Sequence, residues 1–294
     1  MKYDLVHETL YSYESPVVLS QQLLHLTPRL LDFQQLERHR IDIRPAPAET
    51  TTRDDYFGNP VTQIMLAAPH SSLTVHARSN IEVMPRAAPG PGGEPWEQAR
   101  DRLRDGGGER LLEPMQFLFE SPHVEFFREL AAYAESSFGK GRGMIDAVLD
   151  LTRRIHADFR FDPKATSVST PLREVLTRRR GVCQDYAHFM IGCLRTLGLP
   201  ARYVSGYILT SPPPGKPRLI GADASHAWVS VWYSGAAGEA GSWIDLDPTN
   251  NMVVGDQHIT LAWGRDFSDV TPMRGVILGG GDQELEVRVT VTPA

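Results

Sequence analysis

The sequence predicts an α+β protein: a β-rich first segment, a helical middle, and a return to strands. Three patterns carry that prediction. Tyr3, Leu5, His7, Thr9 and Tyr11 alternate with other residues at period two, as do Leu73, Val75 and Ala77, with Ile81 and Val83 following. This is the period of a half-buried strand. Val124, Phe127, Leu130, Ala131 and Ala134 then recur at three- and four-residue steps, and so do Ile145, Val148, Leu149, Thr152 and Ile155, the period of a buried helix face. From Ala201 onward the alternation returns.

Taken in order, the first segment also holds a short alternating strand at Arg40-Ile41-Asp42-Ile43-Arg44 and a turn signal at Phe57-Gly58-Asn59-Pro60. It reads as a β-rich, sandwich-like domain over residues 1–90. Pro85 to Gly93 carries three prolines and three glycines, the composition of a connector. The second domain is placed at 91–294 and includes the C-terminal strands. Within it Thr170 and Pro171 open a short helix, as N-cap and first helical residue. A second helix begins at or just after Cys183, with Ala187, Met190, Ile191, Leu194 and Leu197 on one face, and Gly198 and Pro200 end it. Strands are predicted from Ala201 to Leu209, through Ala227, Val229, Val231 and Tyr233, from Trp243 to Asp247, and from Glu284 to Thr292.

Composition narrows the function. A chain of 294 residues, 41% of them hydrophobic and 22% charged, is neither disordered nor fibrous. A formal charge of −6 offers no basic excess for nucleic acid or an anionic membrane. No run of about 18 apolar residues predicts a spanning helix, and the first residues do not read as a secretory signal, so the cytoplasm is the expected compartment. The two cysteines, Cys183 and Cys193, exclude a disulfide framework and a four-thiolate zinc site. Ten helical residues would separate them by about 15 Å, beyond disulfide reach.

Three short stretches stand out: Gly181-Val182-Cys183-Gln184-Asp185, Ser225-His226-Ala227-Trp228, and Trp243-Ile244-Asp245-Leu246-Asp247-Pro248-Thr249-Asn250. A nucleophilic thiol needs a stabilised thiolate, a base, and a group that orients the base. A helix start at Cys183 supplies free amides and the positive end of the dipole. His226, at a strand entrance, supplies the base. A carboxylate on an adjacent strand would fix its tautomer. Asp245 and Asp247 share a strand face, so alternation does not choose between them.

With these motifs the chain resembles the transglutaminase-like superfamily, whose core is similar to that of papain-like cysteine proteases. The resemblance makes Cys183 the nucleophile, the His226 of H-A-W the base, and the Asp247 of D-P-T the orienting carboxylate. It extends to Ala201–Tyr207, to Gly264–Val270 with the glycines 279–281, and to the β-rich first segment, which resembles the N-terminal region of bacterial members. It implies a papain-like/transglutaminase-like core, a helix bearing the cysteine packed on an antiparallel sheet bearing the histidine and aspartate. It also implies acyl transfer through a thioester, with a protein, peptide or amide-containing substrate and no cofactor or metal.

Hydrolysis is favoured over crosslinking, because the acidic loop clusters of a calcium-activated crosslinker are missing. A true transglutaminase and a non-catalytic binding module on the same fold are the alternatives. The remaining candidates read as structural. Cys193 and His188 are packing residues, Asp185 is an anion in a first helical turn, Trp228 and Tyr207 are core aromatics, and Arg178–Arg180 form a solvated helix end.

Overall fold

The computed structural model describes residues 1–105, 111–210, 225–234 and 241–294. Its long first strand organises half the molecule. β1 (Lys2–Leu24) buries Tyr3, Leu5, His7 and Thr9 on one face, as the alternation requires. β2 (Gln34–Arg44), β3 (Glu49–Asp54), β4 (Pro60–Leu66) and β5 (His70–Val83) follow. The pairing of β1 with β5 skips from Ser12↔Ser72 to Val17↔His70, so β1 bends around Pro16. Before the bend it is flanked by β5 and by a strand from the far end of the chain; beyond it, by β4 and another. A strand bent in this way wraps one continuous seven-stranded antiparallel sheet into a half-barrel, where the sequence suggested a sandwich.

After the connector come α1 (Trp96–Arg104), α2 (Leu112–Met115), α3 (Arg128–Glu135) and α4 (Met144–Asp158). The two-residue strands β6 (Arg160–Phe161) and β7 (Arg180–Gly181) pair in parallel around α5 (Leu172–Arg178). That helix starts one residue later than predicted, with Pro171 as its N-cap. The Thr170 hydroxyl accepts from the Ser167 amide instead of capping it.

α6 (Cys183–Thr196) is buried from Asp185 through Arg195, as befits a helix apolar on nearly every side. Its position is fixed at the far end by Arg195. That buried guanidinium donates to the carbonyls of Ala201, Phe119 and Arg265.

α6 packs on a second antiparallel sheet made of β8 (Ala201–Ile208), β9 (Ser225–Tyr233), β10 (Ser242–Asp247), β11 (Met252–Val253) and β12 (His258–Gly264), in the order β11-β10-β9-β8-β12. A 3₁₀ turn at Phe267–Asp269 leads to β13 (Met273–Gly279) and β14 (Gln283–Pro293). The sequence grouped these last two strands with the second domain. In the structure they pair with β1 and belong to the first sheet. Alternation identifies a strand but not its partner, and here the partner lies at the other end of the chain. Among the described residues no helix is long and apolar enough to cross a membrane.

The two sheets meet through Tyr3, Leu5, Ile81, Val83, Val289 and Val291 from the first and Tyr207, Ile259 and Leu261 from the second. Within that contact the His7 ring is hydrogen-bonded to the Tyr207 hydroxyl at 2.8 Å. β12 is an edge strand, and side-chain amides of the first domain cover its edge. Gln34 donates to the Thr260 carbonyl and accepts from the Thr260 amide, both at 2.8 Å. Asn59 does the same for Trp263, at 2.8 and 2.9 Å. Each amide completes a pair of backbone bonds that a further strand would otherwise make, which closes an edge otherwise open to foreign strands.

Candidate active site

The G-V-C-Q-D stretch builds the start of α6 from its own atoms. Asp185, the third helical residue, turns back so that Oδ2 accepts from the Val182 amide at 2.7 Å and from the Thr166 hydroxyl at 2.6 Å. This is the reciprocal half of a capping box. A Cβ on Gly181 would fall 2.3 Å from that same oxygen, so glycine is required for the cap to close. Asp185 therefore holds the turn that presents Cys183. Burial raises the Asp185 carboxyl above its ordinary range, against the hydrogen bonds from Thr166 and Val182. Cys183 itself is half-buried at the first helical position, beside the opening amides that have no intrahelical acceptor.

D-P-T-N builds the second piece. Asp247 is fully buried at the end of β10, and its side chain organises the turn that follows. Oδ1 accepts from the amides of Thr249 and Asn250 at 2.9 and 3.1 Å, and Oδ2 accepts from Asn250 Nδ2 at 2.7 Å. Oδ2 also meets Nε2 of His226, at the start of β9, at 2.7 Å. Cys183 lies near enough to the same imidazole to help raise its pKa. With Nε2 directed at Asp247, Nδ1 is the nitrogen left to face the thiol.

Burial acts to lower the His226 pKa, but the hydrogen bond to Asp247 and the neighbouring Cys183 outweigh it and raise the imidazole from 6.5 to about 10. Burial acts in the opposite sense on Asp247, and its imidazole and amide donors override that to hold the carboxyl well below the usual range. The arrangement favours an imidazolium held against the Asp247 carboxylate.

Geometry also separates the two aspartates that alternation left equivalent. Asp245 pairs with Arg86 of the connector at 2.8 Å, and Arg86 in turn stacks over Phe33, 3.9 Å from its ring centroid. Asp245 thus ties the connector to the sheet, and Asp247 meets His226.

The other candidates fall where packing put them. Cys193 is fully buried and burial pushes its thiol up. Burial lowers the His188 imidazole to about 3; its Nε2 accepts from the Phe267 amide and its ring stacks on His123. Trp228 and Tyr207 are core residues.

Two groups were not singled out in the sequence. Asn250 stood inside a quoted motif. His258, at the start of β12, places Nε2 at 3.3 Å from Asp247 Oδ2, and no local pattern marks it. Together His226, Asp247 and His258 bring their donor atoms within 4.8 Å of one another, the composition of a two-histidine, one-carboxylate metal site. The carboxylate already accepts N–H groups from Thr249, Asn250 and His226 at hydrogen-bond distances, which fits a hydrogen-bonded network better than a metal shell.

Residues 3–82 match the model of the bacterial transglutaminase-like N-terminal region, and residues 131–248 match that of the transglutaminase-like superfamily. An uncharacterized protein of Mycobacterium tuberculosis is 39% identical over 99% of this chain and 93% of its own length. The chain belongs to the transglutaminase-like superfamily. A protein-glutamine gamma-glutamyltransferase of Pseudomonas aeruginosa is 30% identical over 42% of this chain and 18% of its own length. Among solved structures, a candidate cysteine protease from Cytophaga hutchinsonii shares the fold, with a TM-score of 0.76 at 19% identity over 99% of this chain and 90% of that one. Cys183, His226 and Asp247 all lie within the matched core.

Proposed function

We propose that this superfamily member is a thiol-dependent acyl-transfer enzyme that hydrolyses an amide or peptide bond through a thioester on Cys183. The observation that carries the reading is the buried His226–Asp247 pair, 2.7 Å apart, with Cys183 at the start of α6 near the same imidazole. The Cys183 thiolate attacks the carbonyl carbon and forms a C–S bond. The oxyanion so produced is met by the opening amides of α6. The C–N bond breaks as His226 passes its proton to the leaving amine. His226, now neutral, takes a proton from water, which attacks the thioester; the acid departs and the thiolate is restored. Asp247 keeps Nε2 protonated and Nδ1 directed at the sulfur throughout.

A second reading, transfer of a glutamine acyl group to an amine, draws on the name of the Pseudomonas relative. It shares the first half-reaction and differs only in the acceptor. Mass spectrometry of glutamine-containing peptides, incubated with and without a primary amine, separates the two. Release of the free acid in both conditions supports hydrolysis, and dominant amine incorporation replaces it with the second reading. Loss of both products in Cys183→Ala is required by either.

A further inference from the structure

We propose that His258 is a positioning residue of this site, holding the Asp247 carboxylate through the same oxygen that meets His226. The inference rests on the acyl-transfer reading and deepens it. His226 pairs across the sheet with Gly206, and His258 with Ile208. Positions 206 and 208 share one face of β8, so the two histidines flank that strand on the same face. Their ring centroids are 6.0 Å apart. No side chain intervenes at 206, where a Cβ would lie 2.1 Å from the Ile259 carbonyl and 2.5 Å from the Trp228 ring. Trp228 fills that space and meets His258 edge to face at 5.3 Å, fixing its plane.

His258 is fully buried, and its Nε2 lies 3.3 Å from Oδ2, the oxygen that faces His226. An ionised carboxylate only accepts, so Nε2 is the protonated ring nitrogen. Nδ1 has no partner among the described residues. A buried polar ring that leaves one nitrogen unpaired is costly, so packing alone does not account for it. Among the described residues the hydrogen-bond partner of the ring is Asp247. Oδ2 is thereby gripped from β12 by His258 and from the turn by Asn250, and presents one fixed lone-pair direction to His226. The titratable groups around this network are His226 on β9, Cys183 on α6, and His156 on α4, whose Nδ1 lies 2.8 Å from the Thr249 carbonyl.

Alkylation of Cys183 by iodoacetamide, followed by mass spectrometry as a function of pH, tests this without a known substrate. In wild-type protein, alkylation stays fast at acidic pH and depends on His226. In His258→Phe the acidic rate falls about tenfold, the loss of one charge-assisted hydrogen bond, and the alkaline transition assigned to His226 moves to lower pH. His258→Gln, whose amide nitrogen reaches the place of Nε2, restores the wild-type profile; His258→Asn, whose nitrogen falls at Nδ1, does not. The Gln and Asn variants decide the matter if the Phe variant fails to fold. With an acyl substrate, kcat falls in His258→Asn while KM holds.

A His258→Asn profile that superposes on wild type overturns the inference and leaves the acyl-transfer reading standing. Equal losses in His258→Gln and His258→Asn also overturn it, since they would report packing alone. A wild-type Cys183 that alkylates no faster than free cysteine at acidic pH, or that is indifferent to His226→Ala, overturns both.

Discussion

The start of α6 and the edge of β12 are held in place by opposite means. At α6, Gly181, Val182, Cys183 and Asp185 form a cap whose backbone bond spans three residues, with the Thr166 hydroxyl as its one partner from outside the motif. The Asp247 turn is equally local, with its carboxylate closing on Thr249 and Asn250. At β12 the backbone is held by Gln34 and Asn59, from positions 226 and 204 residues away in sequence. The groups proposed to react sit on short-range devices, whereas the sheet that brings them together is completed by the other domain. The difference suggests that the N-terminal region acts as part of the scaffold of the site and not as an appendage.

The largest expected effect breaks the local side of this comparison. Cys183→Ala should lower acyl-transfer activity by about 10⁴-fold or more, the scale on which a triad depends on its nucleophile. Stability should be unaffected, because the cap is built by Asp185. Cys193→Ala, in the middle of the same helix, should leave activity near wild type and cost stability, read as a drop in thermal midpoint. Native-state alkylation should label Cys183 and spare Cys193, which is fully buried.

The next effect tests the long-range side. Gln34→Ala removes both bonds to Thr260 and leaves a buried amide and carbonyl without their partner, at a cost of about 2–4 kcal/mol. Asn59→Ala should cost as much or more. Besides its bonds to Trp263, Asn59 accepts from Arg29, which lies 3.5 Å over the Trp263 ring. Urea unfolding measures both. If the clamp serves the site, activity in these variants falls in step with stability as β12 and His258 loosen. A variant that loses the stability but keeps full activity and the wild-type alkylation profile would show that the two regions are independent.

The same contrast decides what the sequence reveals. Cys183, His226 and Asp247 each stand in a short motif, and the resemblance those motifs carry, not alternation, chose Asp247 over Asp245. Around Cys183 and Asp247 the motif neighbours do local work: glycine for clearance, aspartate for a cap and asparagine for a turn. His258 was illegible. It stands eleven residues from Asp247 on the opposite edge of the sheet, and only the order β10-β9-β8-β12 brings it back. Gln34 and Asn59 are ordinary polar residues until a partner strand is supplied. The strands at 273–279 and 283–293 were half legible: the second alternates clearly, but nothing in period two states that its partner is β1. Register over long separation is set by packing of whole faces, and a single chain does not display it.

A smaller effect separates the domains by pH. Burial lowers His7, at the interface with Tyr207, from 6.5 to about 4. A folded pKa below the unfolded one means that the unfolded chain binds more protons between those values. Stability should therefore be fully present above about pH 6.5 and decline as pH falls toward 4, by up to about 3 kcal/mol from this group. His7→Gln, which keeps a donor and an acceptor, should flatten that part of the stability–pH curve measured by urea unfolding. An unchanged slope would remove His7 from the account of acid sensitivity. His226 acts in the other sense: raised to about 10, it contributes stability below pH 6.5 that is lost as pH rises through 10.

The smallest effect examines the cap itself. Asp185→Ala should cost about 1 kcal/mol, the ordinary loss of a helix cap, by freeing the Val182 amide. Asp185→Asn, with its amide oxygen in the place of Oδ2, keeps an acceptor for both that amide and the Thr166 hydroxyl. Burial raises the Asp185 carboxyl in the folded state, so its charged form works against folding. That contribution is favourable below the unfolded carboxylate pKa and is lost as pH rises through the folded one. Asn carries no such charge, so Asp185→Asn should equal or exceed wild type in stability at neutral pH, with the advantage vanishing in acid. Activity should persist, because the residue holds the turn and does not touch the reacting atoms. If Asp185→Asn instead folds well and loses acyl transfer, Asp185 contacts substrate, and the most local device in the molecule is also part of its chemistry.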